Sequence, residues 1–324
     1  MNTPLENPIF FEPYYKSVIW GGEAIATLKG ERIDIDNVGE SWEISAVPGH
    51  ESRVAAGPLA GSSIVELMER YGADFAGKVT IERFGDSFPL LIKLIDARSD
   101  LSVQVHPDDA LAAARHHSPG KTEMWYVVDA IPGSHIYSGL QAPLTPEEYP
   151  AAAADGSIMQ RIGAHEAAPG QFYFIPAGTL HAIGAGTLIA EVQQTSDITY
   201  RVYDYNRTDA RGCKRELHTE LAADAINYRF PNPVHPTACA FPASTKSAVS
   251  CRYFNVDYLA GGECAVAGNP DSFTIIMALG GDARLLGPSG LNTPLRRGTT
   301  CMLAAAAPEH LLRAEGATLV ITIK

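Results

Sequence analysis

The chain has 324 residues, a hydrophobic fraction of 46% and a formal net charge of −12 at pH 7. This length accommodates one large domain or two moderate ones, with enough apolar side chains for a sizeable core. The acidic balance argues against a nucleic-acid backbone as a partner, although a local basic pocket can still hold a small anion on an acidic surface.

The number of cysteines, five, is odd, and no two of them have the CxxC spacing of a metal site. We therefore interpret them as reduced thiols. No apolar stretch approaches the length of a membrane span, and the N-terminus lacks a basic segment followed by an apolar run. From these features we expect a soluble, cytoplasmic protein that engages neither a membrane nor nucleic acid.

The first hundred residues predict several strands and one helix. Residues 7–20 are rich in aromatic and proline side chains and are expected to be extended. Residues 37–45 alternate large apolar with polar side chains, as a half-buried strand does. Residues 62–71 have apolar side chains near helical spacing after two serines, either of which can cap the helix. Residues 88–95 predict a buried strand that is interrupted by Lys93.

Residues 101–107 alternate again, so that Ser102, Gln104 and His106 lie on the face opposite the apolar side chains. Such a pattern also fits a surface strand with a polar outer face. Two observations argue against that interpretation: the polar face ends in a histidine, and a helix predicted over residues 108–116 begins directly after it. A strand end followed by a helix is a common location for a functional site.

Lys121 and Glu123 share one face of a strand predicted over residues 120–128. Their spacing fits either a solvated ion pair on a strand edge or two groups of a site, and this strand alone does not decide between them. A helix is predicted over residues 145–154, because a threonine N-cap is followed by proline at the first helical position.

The stretch from residue 170 to residue 207 predicts strand, tight turn, strand, turn and strand. Residues 172–175 are aromatic and β-branched, and the Pro-Ala-Gly sequence that follows breaks the strand. His181 comes immediately after this turn. Residues 187–194 alternate so that Glu191 and the glutamine two residues later share one face. The polar stripe beside a histidine resembles the lining of a site.

After residue 230 the composition changes. Residues 231–244 are rich in proline and small side chains and are predicted to be a linker. Short strands with glycine-rich turns are predicted beyond it, at residues 250–259, 272–279, 283–286, 299–304 and 317–323. We therefore expect a catalytic domain over residues 1–230 and a small all-β domain, without an active site, over residues 231–324.

The polar-face residues form one candidate metal site. Gln104, His106, Glu123 and His181 offer two imidazoles, one carboxylate and one neutral amide oxygen if their strands converge inside a barrel. This mixed nitrogen and oxygen set suits Zn²⁺ or another first-row divalent ion. With only one charged ligand, the site would keep a net positive charge and act as a Lewis acid.

The same residues carry a resemblance to known proteins. Gly170, Pro176, Gly178 and His181 have the spacing of the second cupin motif, and Gln104 to Glu123 resembles the first motif with a longer gap. The wider pattern resembles short-form type I phosphomannose isomerases over residues 7–207. The stretches that carry this resemblance are residues 18–22, 39–43, 89–93, 101–108, 120–126 and 170–207.

The resemblance implies a mainly β fold, with a cupin-type jelly-roll barrel, a few inserted helices and a second small β domain that is itself cupin-like. It implies one Zn²⁺ per chain and an aldose–ketose isomerase that interconverts mannose 6-phosphate and fructose 6-phosphate through an enediol or enediolate. The implied partner is a small sugar phosphate. The oligomeric state, monomer or dimer, is left open.

The resemblance also implies individual roles. The zinc ligands are matched by Gln104, His106, Glu123 and His181. Arg201 matches an arginine essential to catalysis, Lys121 an active-site lysine, and Glu191 and Asp197 active-site acids. Ser102 matches a residue near the substrate phosphate. We thus expect Arg201, Lys121 and Glu191 to be catalytic and Ser102 and Asp197 to bind substrate.

Several alternatives stay open at this point. The proton can be moved by Glu191 or by Lys121, and Glu191 can instead orient a metal-bound imidazole. The basic group that holds the phosphate can be Arg207, Lys214 or Lys93. Competing functions are an iron-dependent cupin oxygenase, a non-catalytic sugar-binding cupin and a cupin isomerase for another sugar phosphate.

Overall fold

The computed structural model describes residues 4–208, 212–233, 236–238 and 246–324. Strands make up 38% of the chain and helices 17%, so the predicted mainly β architecture is confirmed. The helices are α1 (Ala24–Lys29), α2 (Ile64–Tyr71), α3 (Ala73–Ala76), α4 (Lys78–Phe84), α5 (Asp109–His116), α6 (Tyr149–Asp155) and α7 (Thr219–Ala225). No helix within the described residues is long and apolar enough to cross a membrane.

The strands form two pairs of antiparallel sheets. Those of the first pair are β1 (Tyr14–Gly22), β2 (Val38–Ile44), β3 (Leu90–Ala97), β4 (Val103–Val105), β5 (Glu123–Ala130), β6 (His135–Leu140), β7 (Ile162–Glu166), β8 (Gln171–Ile175), β9 (His181–Ile183), β10 (Thr187–Gln194), β11 (Tyr200–Tyr203), β12 (Asn232–Pro233) and β13 (Thr237–Ala238). Those of the second pair are β14 (Lys246–Ser250), β15 (Asn255–Leu259), β16 (Gly262–Val266), β17 (Thr274–Ala278), β18 (Ala283–Leu286), β19 (Asn292–Leu295), β20 (Thr300–Leu303), β21 (His310–Ala314) and β22 (Thr318–Thr322).

The first pair of sheets encloses the candidate site. One sheet has the order β1-β2-β3-β10-β5-β8-β13, and the other has the order β11-β4-β9-β6-β12 with β7 beside β6. Every residue of β3 and β10 is buried, because both faces of the larger sheet are covered. One face lines the barrel interior, and the other packs in a hydrophobic cluster that includes Ile92 and Val192.

The second pair of sheets follows the order β14-β15-β22-β17-β20 and β16-β21-β18-β19. Its larger sheet presents Ile275 and Leu319 to the same hydrophobic cluster that backs β3 and β10. Near the other end of the chain, Ile9 forms an antiparallel bridge with Met302. The C-terminal sheet therefore lies directly behind the sheet that lines the site.

The predicted C-terminal strands correspond to observed ones, and one of them begins clearly later than predicted. The strand predicted over residues 250–259 begins only at Asn255, as β15. The sequence analysis missed β14, which ends at Ser250, as well as β16, β19 and β21. Of the predicted linker, residues 234–235 and 239–244 lie outside the described residues, as does Cys239. The described parts, β12 and β13, pair with β6 and β8.

Two predicted helices are confirmed, and the start of a third is wrong. Ser63 caps α2 through a capping box with Glu66, and Asp108 caps α5. The helix predicted from residue 145 begins instead at Tyr149. Thr145 and Glu148 exchange side-chain to backbone hydrogen bonds of 3.2 and 3.1 Å, and Tyr149 N donates to Thr145 O at 3.0 Å, so a capped turn leads into the helix.

The strand predicted over residues 120–128 begins only at Glu123. Lys121 N donates to Pro107 O at 3.1 Å, so this segment follows the end of β4 rather than the ladder. Lys121 is nevertheless buried, as Glu123 is. The alternative of a solvated ion pair on a strand edge is therefore wrong.

Candidate metal centre

Three buried donor groups from the two sheets meet inside the barrel. Glu123 Oε2 lies 3.4 Å from His106 Nε2, and Glu123 Oε1 lies 3.4 Å from His181 Nε2. One donor atom from each of the three lies within 4.8 Å of the others. His106 follows β4 and His181 begins β9, whereas Glu123 begins β5 of the larger sheet. Closure of the barrel is what brings them together.

The turn before His181 is fastened to the backbone of His106. Gly178 has φ 86°, in the left-handed region that favours glycine, and its N–H donates a 2.9 Å hydrogen bond to His106 O. A β carbon at this position would lie 3.0 Å from Ala225 O. The turn that the cupin-like spacing predicted thus aligns the two histidines with each other.

Both imidazoles are oriented by backbone carbonyls. His106 Nδ1 lies 3.0 Å from Ile198 O, and His181 Nδ1 lies 2.8 Å from Thr179 O. Because a carbonyl only accepts, Nδ1 carries the proton in each ring, and Nε2 is left with its lone pair toward Glu123. Within the described residues, Glu123 Oε1 and His181 Nε2 have no hydrogen-bond partner. These lone pairs fit a divalent cation.

The charge states of the three groups suit metal binding. Burial, together with the nearby Lys121 ammonium, lowers the pKa of His106 to about 4. Burial also lowers the pKa of His181. For Glu123, burial alone would raise the pKa, but Lys121 and His106 hold it well below its usual value. Near neutral pH the set is therefore two neutral imidazoles and one carboxylate, the forms in which these groups bind metals.

Gln104, the fourth predicted ligand, is half-buried in β4 and lies directly opposite His181 of the neighbouring strand β9. Arg201 lies opposite Gln104 on the other side, in β11. Residues directly opposite in an antiparallel pair point to the same face. The face that carries His181 therefore carries Gln104 and Arg201 as well. That Gln104 is a metal ligand stays a prediction.

Lys121 and Glu191 lie beside the donor set. Lys121 Nζ donates to Glu123 Oε2 at 2.6 Å and lies 3.1 Å from His106 Nε2. Glu191 Oε1 is 4.0 Å from Lys121 Nζ, and Glu191 Oε2 accepts a 2.8 Å hydrogen bond from Trp125 Nε1. Neither of these two contacts of Glu191 is with an imidazole, and backbone carbonyls orient both rings. Orientation of the imidazoles therefore does not require Glu191.

A second buried lysine, Lys93, extends this network. Lys93 Nζ lies 3.4 Å from Glu191 and 3.5 Å from Glu40, and Trp42 Nε1 donates to Glu40 at 2.7 Å. Burial alone would lower the pKa of Lys93, but Glu40 and Glu191 raise it above its usual value. The sequence analysis considered Lys93 only for the phosphate. A lysine in the middle of an apolar strand was the available signal, but its partners depend on the register of β3 with β2 and β10.

Arg201 is half-buried at the edge of the smaller sheet. Its Nη1 donates to Glu216 O at 2.8 Å, and its Nε has no hydrogen-bond partner within the described residues. Burial and the neighbouring Arg215 lower the pKa of Arg201. Arg215 and Arg207 are both ion-paired with Asp204. The three arginines therefore lie close enough to interact with one another around Asp204.

The remaining predicted residues differ in exposure. Ser102 is buried just before β4, whereas Asp197 is exposed between β10 and β11. Of the three candidates for the phosphate, Lys93 is buried inside the barrel and Arg207 is held by Asp204. Lys214 donates to Asn206 Oδ1 at 3.0 Å on the surface.

Comparison with known proteins agrees with this geometry. Residues 9–126 match the family model for the catalytic domain of type I phosphomannose isomerase. The chain is 36% identical to a mannose-6-phosphate isomerase of Bacillus subtilis, over 86% of this chain and 87% of the relative. It is 37% identical to the enzyme of Streptococcus mutans, over 78% of each chain. A crystal structure of a Bacillus subtilis mannose 6-phosphate isomerase superposes with a TM-score of 0.83 at 35% identity, covering 98% of this chain and 99% of that one.

Two imidazoles and a carboxylate inside an antiparallel barrel, with lysines alongside, define a metal-dependent enzyme of the cupin type. The similarity to mannose-6-phosphate isomerases over most of the chain narrows this class to one family. The chain belongs to the type I phosphomannose isomerase family.

Proposed function

We propose that this protein interconverts mannose 6-phosphate and fructose 6-phosphate through an enediol or enediolate. The observation that carries the proposal is the buried contact of Lys121 with Glu123 and His106, with Glu191 within 4.0 Å of the same ammonium. This contact supports a role for Lys121 and Glu191 in proton transfer beside a metal-type donor set. Membership of the family supports the choice of substrate.

The proposed metal is one Zn²⁺ per chain, held by Gln104, His106, Glu123 and His181. A mixed nitrogen and oxygen set with one negative charge suits this ion. When bound, the ion would supply Lewis acidity toward a substrate oxygen. The carbonyls that hold the two imidazoles would keep the donor atoms in place as the substrate enters and leaves.

The protein's own groups would move the proton. Conversion of the aldose to the ketose takes a proton from C2 and returns one to C1, while the O2 proton is transferred to O1. Glu191 or Lys121 would carry this proton, since both lie inside the barrel and within 4.0 Å of each other. Trp125 and Lys93 would fix the carboxylate of Glu191, because they bind its two oxygens.

The developing negative charge would be stabilised by Arg201. Its Nε is buried without a partner, so a hydrogen bond to substrate would satisfy it. Ser102 and Asp197 are proposed to bind substrate. For the phosphate, Lys93, Arg207 and Lys214 all stay candidates: Lys93 is enclosed by two carboxylates, Arg207 is held by Asp204, and Lys214 lies on the surface. Binding of the phosphate would orient the sugar over the proton-transfer groups.

Residues 1–230 would form the catalytic unit and residues 231–324 a β unit without an active site of its own. The setting would be the cytoplasm, as the cysteine content indicates.

The test is a coupled isomerase assay on mannose 6-phosphate with the purified protein, after chelation and after addition of Zn²⁺ or Fe²⁺. We expect turnover that is lost on chelation and restored by Zn²⁺. Absence of turnover in the zinc-loaded protein, or a rate unaffected by chelation with the metal shown to be gone, would overturn the proposal. Iron in the purified protein with consumption of O₂ would favour a cupin oxygenase instead.

A further inference from the structure

The segment that carries Lys121 has each of its backbone amides bound from outside the segment. Gly120 N donates to Asp109 Oδ1 at 3.0 Å, and Lys121 N donates to Pro107 O at 3.1 Å. Thr122 N donates to Gln194 Oε1 at 2.8 Å. Residues 120–122 precede β5. Together with a 3.2 Å hydrogen bond from Gln194 N to Thr122 O, these three bonds fix where the Lys121 side chain begins.

Two of the three acceptors belong to one connected group. Gln194 Nε2 donates to Asp109 Oδ1 at 2.8 Å. This carboxylate oxygen therefore accepts hydrogen bonds from both Gln194 and Gly120. The other oxygen, Asp109 Oδ2, accepts a 2.6 Å hydrogen bond from Tyr253 Oη. Burial alone would raise the pKa of Asp109, but Tyr253, Gln194 and Gly120 together lower it. The carboxylate is therefore ionised, and both of its oxygens accept hydrogen bonds.

This arrangement links the two pairs of sheets. Tyr253 lies between β14 and β15 of the C-terminal unit, whereas Asp109 begins α5 and Gln194 ends β10. Gly120 permits the close approach, since a β carbon there would lie 2.6 Å from the backbone of Asp108 and Asp109. Only glycine fits that contact.

We infer that Tyr253, Asp109 and Gln194 are positioning residues that hold Lys121 in place for catalysis. By this inference the C-terminal unit contributes to the reaction through the Tyr253 hydroxyl. The inference rests on the proposed function in assigning a catalytic role to Lys121. Displacement of a catalytic group by about 1 Å can cost up to about a hundredfold in rate, so anchoring of this kind affects turnover.

The test compares substitutions in the zinc-loaded, full-length protein. Asp109→Ala removes the acceptor of Gly120, Gln194 and Tyr253. Its matched control is Asp108→Ala, which removes the N-cap of the same helix, the 2.9 Å bond to Leu111 N, and none of the three contacts. A cavity of about 610 Å³ borders Asp109, Gln194 and Tyr253, so water can reach the groups that the substitutions uncover.

We expect Asp109→Ala to lower kcat about tenfold or more with KM within about twofold, because the substrate contacts are intact. Asp108→Ala should lower the unfolding temperature while kcat stays within about twofold of wild type. Asp109→Asn should recover most of the lost kcat, since its amide oxygen accepts from Gly120 and the tyrosine oxygen accepts from its NH₂. Tyr253→Phe should lower kcat about threefold, and should have no further effect in the Asp109→Ala background.

A second readout does not depend on turnover. Hydrogen exchange of the peptide over residues 118–124 should accelerate in Asp109→Ala and not in Asp108→Ala. If Asp109→Ala and Asp108→Ala lower kcat equally, or if the effects of Asp109→Ala and Tyr253→Phe are additive, the inference is overturned. If instead the zinc-loaded wild type has no isomerase activity, it is the proposed function that fails, and exchange still reports whether the segment is anchored as described.

Discussion

Arg201 lies directly opposite Gln104 in the pairing of β11 with β4, and Gln104 lies directly opposite His181 in β9. The three side chains therefore form a row across the smaller sheet, with a guanidinium at one end and an imidazole of the donor set at the other. Opposite residues in such pairs have β carbons about 5 Å apart. The row thus places the guanidinium two strands away from an imidazole of the donor set, in the same sheet.

Replacement of Arg201 by lysine is expected to lower kcat about a hundredfold and to leave the zinc content unchanged. The guanidinium uses Nη1 on Glu216 O, which leaves Nε for the substrate, and an ammonium cannot do both in the same geometry. Steady-state kinetics with metal analysis makes the measurement. Arg53, whose Nη1 also binds a carbonyl at 2.9 Å, provides the control as Arg53→Lys, and equal losses in the two variants would argue against a role for Arg201.

Replacement of His106 by alanine is expected to abolish both zinc binding and turnover, because one of three converging donors is lost. His135→Ala, on strand β6 two strands from β4 in the same sheet and outside the donor set, should retain both. Zinc content is measured after dialysis, and circular dichroism checks that the variant is folded. Turnover at the wild-type rate by His106→Ala after chelation would contradict the assignment of the site.

Lys93→Met is expected to destabilise the protein by about 3 kcal/mol, since it leaves the buried carboxylate of Glu191 and the partly buried one of Glu40 without their shared cation. Lys16 also contacts Glu40, at 3.9 Å, but its side chain is 42% exposed. Lys16→Met should therefore cost less than about 1 kcal/mol. Denaturant unfolding at pH 7 compares the two, and similar losses would show that burial of the ion pair does not govern its contribution.

The metal-free protein is expected to lose stability as the pH falls from about 6.5 toward about 4. Burial lowers the pKa of His106 to about 4 in the folded state, against 6.5 for the ordinary group. Between these values the unfolded chain binds more protons than the folded one, so the contribution is complete above 6.5 and lost on acidification. Its full size is on the order of 3 kcal/mol. Denaturant unfolding of the chelated protein across this range, compared with His106→Gln, should show a weaker pH dependence in the variant.

Much of the site could be predicted from the sequence because its residues follow local rules. Period-two alternation placed Gln104 with Ser102 on one face, and the Pro-Ala-Gly turn placed His181 at the start of a strand. Glu191 was predicted on the polar face of its strand for the same reason, and all of β10 is buried as a strand lining a barrel should be. These features need no knowledge of distant partners.

What the sequence analysis missed depends on register between distant strands. Lys93 meets Glu191 because β3 and β10 pair with these residues opposite one another, and no local pattern specifies that register. The contact of Tyr253 with Asp109 joins residues 144 positions apart. Lys121 was predicted on a strand, whereas its segment is held by the side chains of Asp109 and Gln194 and by the backbone carbonyl of Pro107.

The hydrophobic cluster behind β3 and β10 has a consequence for how the protein is made. Every residue proposed for the metal centre and the proton transfer precedes residue 202. The cluster that supports their strands, however, also draws on Leu319 and Ile321. During synthesis these residues therefore emerge more than a hundred positions ahead of the last side chains of the core that holds their strands in place.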